Sequence, residues 1–112
     1  MLLEKLISGQ ELTQALEERK SKQYARIRQK ARRNVLKNLQ KEIRRTMRTG
    51  RGNGSISISP KELYKCNEGL TIGEESFEEL LKTRGWEINK REYFLAEDKE
   101  DKFYFSITPI RD

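Results

Sequence analysis

The chain has 112 residues, of which 38% are charged and 34% hydrophobic, enough to bury one small core but hardly two. Lys and Arg number 24 against 18 Asp and Glu, a formal net charge of +6. There is no histidine, which excludes Ser–His and Cys–His catalysis, imidazole zinc ligation and histidine pH switching.

The charge is unevenly placed. Residues 1–52 hold 15 basic and 5 acidic side chains, a balance of +10, and residues 53–112 hold 9 and 13, a balance of −4. A basic arm of this kind implies a polyanionic partner. The single cysteine, Cys66, has no second cysteine with which to form an internal disulfide. It reads as a structural or incidental thiol rather than a reactive one. The apolar start Met1-Leu2-Leu3 is interrupted by Glu4 and Lys5, so no secretory signal is visible. No stretch approaches the roughly 18 apolar residues of a membrane span. The expectation is a reducing, cytoplasmic setting away from membranes.

The chain opens on Leu2, Leu3, Leu6 and Ile7, followed by Ser8 with Glu11 three residues on, a capping-box pattern. From Gln10 to Arg48 there is neither Gly nor Pro, which predicts a helix over residues 10–48. At about 1.5 Å per residue it is nearly 60 Å long, more than the diameter of a small domain. Part of it must project, bend near residue 34, or pair with another chain. Thr49 to Ser55, with Gly50, Gly52 and Gly54, ends the helix and reads as a flexible linker.

Beyond the linker, Ile56 to Ser59 alternates like a short strand. Pro60 opens a helix running to about Asn67. Glu74 to Thr83 reads as a further helix, with Phe77, Leu80 and Leu81 inward, and Gly85 stops it. Trp86 to Ala96 and Phe103 to Ile110 read as strands of a hairpin joined by the acidic loop at 97–102. The predicted class is α+β. A long basic helix at 1–48 and a linker at 49–55 precede a small helix and antiparallel-sheet domain at 56–112.

With the order helix, strand, helix, helix, strand, loop, strand, and the junction Leu80-Leu81-Lys82-Thr83-Arg84-Gly85-Trp86, residues 36–110 resemble a winged-helix domain. The resemblance implies a third helix that enters the DNA major groove. Here that helix would carry Glu74, Glu75, Glu78 and Glu79, which phosphates repel, and the wing tip is acidic too. The pattern is also that of a plain helix packed on an antiparallel meander.

The chemistry lies in the long helix. Arg19, Lys22, Arg26, Lys30, Arg33, Lys37, Lys41, Arg44 and Arg48 follow one another at spacings of three or four. That is the helical period, so they form one stripe, roughly 43 Å long. Like charges so spaced repel by a few tenths of a kcal/mol per pair. Only Glu18 and Glu42 stand between residues 18 and 48 to relieve them. A helix made only for solubility mixes signs. Arg51, amid glycines, extends the stripe into the linker. Elsewhere on the helix, Leu12, Leu16, Tyr24, Ile27, Ala31 and Val35 form an apolar stripe suited to a partner helix. A second stripe, Leu36, Leu39, Ile43 and Met47, is suited to the C-terminal domain.

Other signals point to structure. Phe103, Phe105 and Ile107 share a strand face and lack the glycines of an RNA-recognition motif. The acid-x-lysine fragments Glu97-Asp98-Lys99 and Glu100-Asp101-Lys102 fall in a loop, not the buried strand of a magnesium nuclease. Gly50 to Gly54 lacks the lysine-Ser/Thr ending of a P-loop. The expectation is a non-enzymatic protein without cofactor or metal, binding DNA or RNA phosphates through the basic stripe. The alternative is a small inhibitor or adaptor, of the kind found in phages and mobile elements, acting on a larger nucleic-acid-handling complex. Self-association through the long helix is a third possibility.

Overall fold

A computed structural model describes residues 2–93 and 102–111. After a short 3₁₀ turn at Leu2–Lys5, one helix, α1, runs from Gly9–Thr49. Ser8 caps it, its Oγ accepting the Glu11 N–H at 3.1 Å. Gly50 closes it in the left-handed conformation (φ 67°), where its N–H bonds the Thr46 carbonyl. The predicted helix is therefore present at nearly its predicted length. It is continuous through residue 34, with no Gly or Pro to break it.

Strand β1 (Ile56–Ile58), helix α2 (Pro60–Cys66), helix α3 (Phe77–Thr83) and strands β2 (Trp86–Tyr93) and β3 (Lys102–Pro109) follow in the expected order. The sheet is antiparallel in the order β1-β3-β2. Its register sets Ile56, Ile107 and Ile88 side by side across the three strands. Ile107 on the central strand is fully buried. Phe105, Ile88 and Trp86 pack on the same core, as the alternating pattern requires. Residues 97–101 of the acidic loop lie outside the described residues, as do Phe94 to Ala96 of the longer strand expected from the sequence.

The expected helix at 74–83 begins later, at Phe77. Ser76 supplies the cap, its Oγ accepting the Glu79 N–H, and Asn67 Oδ1 accepts the Phe77 N–H at 2.8 Å. These two acceptors fix the start. Glu74 and Glu75 precede the helix.

Seven residues form the buried core: Val35, Leu39, Ile58, Cys66, Phe77, Leu81 and Ile107. Two of them come from α1, so the long helix and the small domain share one core. Burying each of Val35 and Leu39 contributes about 1.5–3 kcal/mol, which holds the C-terminal half of α1 in place. The turns before Tyr24 carry no buried residue, and α1 projects there. The molecule accordingly measures 73 × 38 × 23 Å.

The two apolar stripes are used differently from expectation. Ala31 and Val35, assigned to a partner helix, pack into the chain's own core. Tyr24 lies against Gly69, where an added Cβ would come within 2.5 Å of the Tyr24 Cβ. Of the second stripe, Leu39 and Ile43 pack inward, while Leu36 and Met47 stay exposed. The small domain therefore grips α1 from Tyr24 onward, about three turns earlier than the Val35–Leu36 junction suggests. The 49–55 segment is also more structured than a linker. Arg51 N–H bonds Thr49 Oγ1, Ser55 N–H bonds Asn53 Oδ1, and Gly54 is buried beside Trp86.

Candidate nucleic-acid interface

The basic residues of α1, Lys20 apart, divide into two sets by helical phase. At about 100° per residue, the stripe from Arg19 to Arg48 is centred roughly half a turn from Val35 and Leu39. The small domain docks on the latter side, so the stripe faces away from it. All nine stripe residues are exposed, and so is Arg51. None of the nine makes a salt bridge with another described residue. Lys37, Lys41, Arg44 and Arg48 border one shallow hollow together with Arg45.

Arg28, Arg32 and Arg45, which lie off the stripe, are engaged within the chain. Arg28 Nη1 donates to the Glu68 carbonyl and Nη2 pairs with Glu74, both at 2.9 Å. Arg32 Nε donates to the Cys66 carbonyl at 2.7 Å and Nη2 to the Glu75 carbonyl at 3.2 Å. Its guanidinium stands 5.8 Å from the Phe77 ring centre. Burial, and then the neighbouring Arg28 charge, lower the Arg32 pKa. Arg45 forms a two-pronged pair with Glu42, at 3.0 and 2.6 Å. The hydrogen bond from Arg45 holds the Glu42 carboxyl below the usual range. The one acid between residues 19 and 48 is thus taken by an off-stripe arginine.

The acidic side chains of the small domain are partly consumed too. Glu74 accepts from Thr71 Oγ1 and pairs with Arg28, and the hydrogen bond from Thr71 is the larger cause of its lowered pKa. Glu78 accepts from Asn67 Nδ2 at 2.7 Å. Glu79 remains exposed on α3.

Of the apolar residues assigned to a partner helix, Leu12 and Leu16 are about half exposed, at 55% and 50%. Ile27 is exposed to a smaller extent, and Tyr24 and Ala31 are occupied within the chain. Cys66 is fully buried, and burial raises its thiol pKa to about 11. It is a core residue held in the neutral form. Among the described residues no group of His, Cys, Asp and Glu could hold a metal ion. No described helix is long and apolar enough to cross a membrane.

Sequence reasoning missed Arg28, Arg32 and Asn67. Their phase on the apolar side of α1 marks the two arginines as different from the stripe. Asn67 offers no such signal, because its partners lie 10 and 11 residues ahead, in the first turn of α3.

No protein-family model, curated protein or solved structure matches the chain.

Proposed function

We propose that this is a non-enzymatic nucleic-acid-binding protein whose α1 stripe lies against a phosphate backbone. One observation carries the reading. Nine exposed cations stand in line on the face of a single helix turned away from the domain that holds it, with no acid among the described residues paired to them. Repulsion along such a line is unfavourable in isolation and is relieved when phosphates replace solvent counterions. The small domain supplies the scaffold: Val35 and Leu39 anchor the helix, and the Arg28 and Arg32 hydrogen bonds fix its rotation. In a winged-helix domain the third helix reads DNA. Here α3 presents Glu79 outward, so α1 takes the phosphate-binding role. Contacts of this type position a protein on nucleic acid without reading its sequence.

The test is a binding titration with duplex DNA and RNA across a range of salt concentrations. Replacing Arg26, Lys30 and Arg33 together by Gln lowers affinity for every sequence alike. It also reduces the slope of log K against log salt by about 2–3, one for each lost phosphate contact. Unchanged affinity and slope in that variant reject the proposal.

A second reading, an adaptor for a nucleic-acid-handling complex, is favoured by the exposed Leu12 and Leu16 on the projecting turns of α1. A pull-down after nuclease digestion separates the two. A specific protein that survives digestion and is lost on replacing Leu12 and Leu16 by Ser supports the adaptor.

A further inference from the structure

A groove lies between α1 and α3, lined in part by the core residues Leu39, Phe77 and Leu81. The groove has a volume of about 600 Å³. Its lining includes Leu36, Ile43, Leu80 and Trp86, with Arg32 and Arg84 also bordering it. Leu36 and Leu80, which line it, are 40% and 37% exposed. A second hollow shares Arg32, Leu36 and Gln40 and adds Arg33 and Lys37. No carboxylate lines either one.

We propose that this groove receives an acidic amphipathic helix of a protein partner. The apolar floor selects a stripe of large aliphatic or aromatic side chains. Arg84 on the α3 side and Arg33 and Lys37 on the α1 side select carboxylates flanking that stripe. Arg32 is held by the Cys66 and Glu75 carbonyls and serves as a fixed wall. From Arg32 to Ile43 the groove follows α1 for about 16 Å, three helical turns, enough for anchors at i, i+4 and i+7. A second copy of the chain is a poor occupant. Its exposed helical face carries the basic stripe, and like charges would meet at the groove rim. The groove lies beside the basic stripe and shares with it only Arg33 and Lys37, so the remaining stripe residues separate peptide binding from nucleic-acid binding.

Trp86, the only tryptophan, lines the groove and reports on it directly. The full chain is titrated with synthetic peptides of about four helical turns. These carry Leu and Phe at i, i+4 and i+7 and Glu at the flanking positions. The comparison peptides have Lys in place of Glu, or the same residues scrambled. The acidic amphipathic peptides are expected to shift Trp86 emission to shorter wavelength. Leu80→Glu and, independently, Leu36→Glu are expected to weaken binding at least about tenfold. Both positions are partly exposed, and a urea midpoint checks that each variant folds. Replacing Arg19, Lys22 and Arg26 by Gln leaves the titration unchanged. The proposal is overturned if none of the acidic peptides moves the emission or if the Lys peptides act equally. It is also overturned if both groove variants bind as wild type, or if the Arg19, Lys22 and Arg26 variant loses binding. A DNA duplex that displaces the peptide and shifts Trp86 in the same way assigns the groove to nucleic acid instead.

Discussion

Arg32 Nε donates to the Cys66 carbonyl oxygen at 2.7 Å, tying the middle of α1 to the C-terminal end of α2 across 34 residues of sequence. The same guanidinium reaches the Glu75 carbonyl and the Phe77 ring, so one side chain joins α1 to both short helices. The planar fork of arginine suits two carbonyls at fixed positions, and a lysine ammonium does not. Arg32→Lys is expected to lower unfolding free energy by about 1–3 kcal/mol, because the last carbonyl of α2 loses a charged donor. Urea unfolding measures it. A midpoint equal to wild type shows that the contact contributes nothing.

Gly69 and Tyr24 provide a second test of how α1 is held. Gly69 has φ of +63°, and a Cβ there would lie 2.5–2.7 Å from three Tyr24 side-chain atoms. Gly69→Ala therefore combines backbone strain of about 1–2 kcal/mol with a direct overlap. In a Tyr24→Ala background the overlap vanishes and only the strain remains. A double-mutant cycle is expected to show Gly69→Ala costing at least about 1 kcal/mol less when Tyr24 is absent. Additive effects would place Tyr24 elsewhere and return it to the set available for a partner.

Local chemistry made much of the fold legible. Ser8 and Gly50 cap α1 as the sequence suggests, because a cap depends on residues three or four positions away. The alternation of Phe103, Phe105 and Ile107 identified a core strand for the same reason. The extent of α1 docking was not legible. It depends on Arg28 and Arg32, whose acceptors lie 34 to 43 residues away, and on Tyr24 finding a glycine at 69. A helical projection shows that Leu36 and Leu39 lie on related sides of α1. It does not show that the domain covers one and leaves the other open. The stripe was legible because it is a property of one uninterrupted helix.

Cys66 makes the stability depend on pH in the alkaline range. Its thiol is pushed up to about 11 in the folded chain, from an ordinary value of 9.0, chiefly by burial. Below pH 9 the thiol is protonated in both folded and unfolded chains, and its contribution is intact. Between 9 and 11 the unfolded chain releases the proton and the folded chain does not. Stability then falls, with a limiting slope of about 1.4 kcal/mol per pH unit. The contribution is lost as pH rises through the folded value, an effect of about 1–3 kcal/mol in all. In Cys66→Ala this component of the slope disappears, so the stability gap to wild type narrows between pH 9 and 11. A constant gap would show that the thiol does not titrate differently on folding.

The stripe itself separates stability from binding. Its nine side chains are exposed and salt-bridge to no other described residue, and Arg26, Lys30 and Arg33 lie away from the helix ends, so folding bears their repulsion. Replacing Arg26, Lys30 and Arg33 by Gln is therefore expected to leave the urea midpoint unchanged or raise it slightly, by a few tenths of a kcal/mol. Added salt is expected to stabilise wild type slightly and the variant less, since screening removes a repulsion the variant already lacks. Nucleic-acid affinity is expected to move the other way, falling in the variant and falling with salt. Opposite signs for the two measurements distinguish a binding surface from a structural one. If the variant instead unfolds more easily, the stripe cations stabilise the fold through contacts of their own, and the line of charge loses its claim to be a surface kept for a partner.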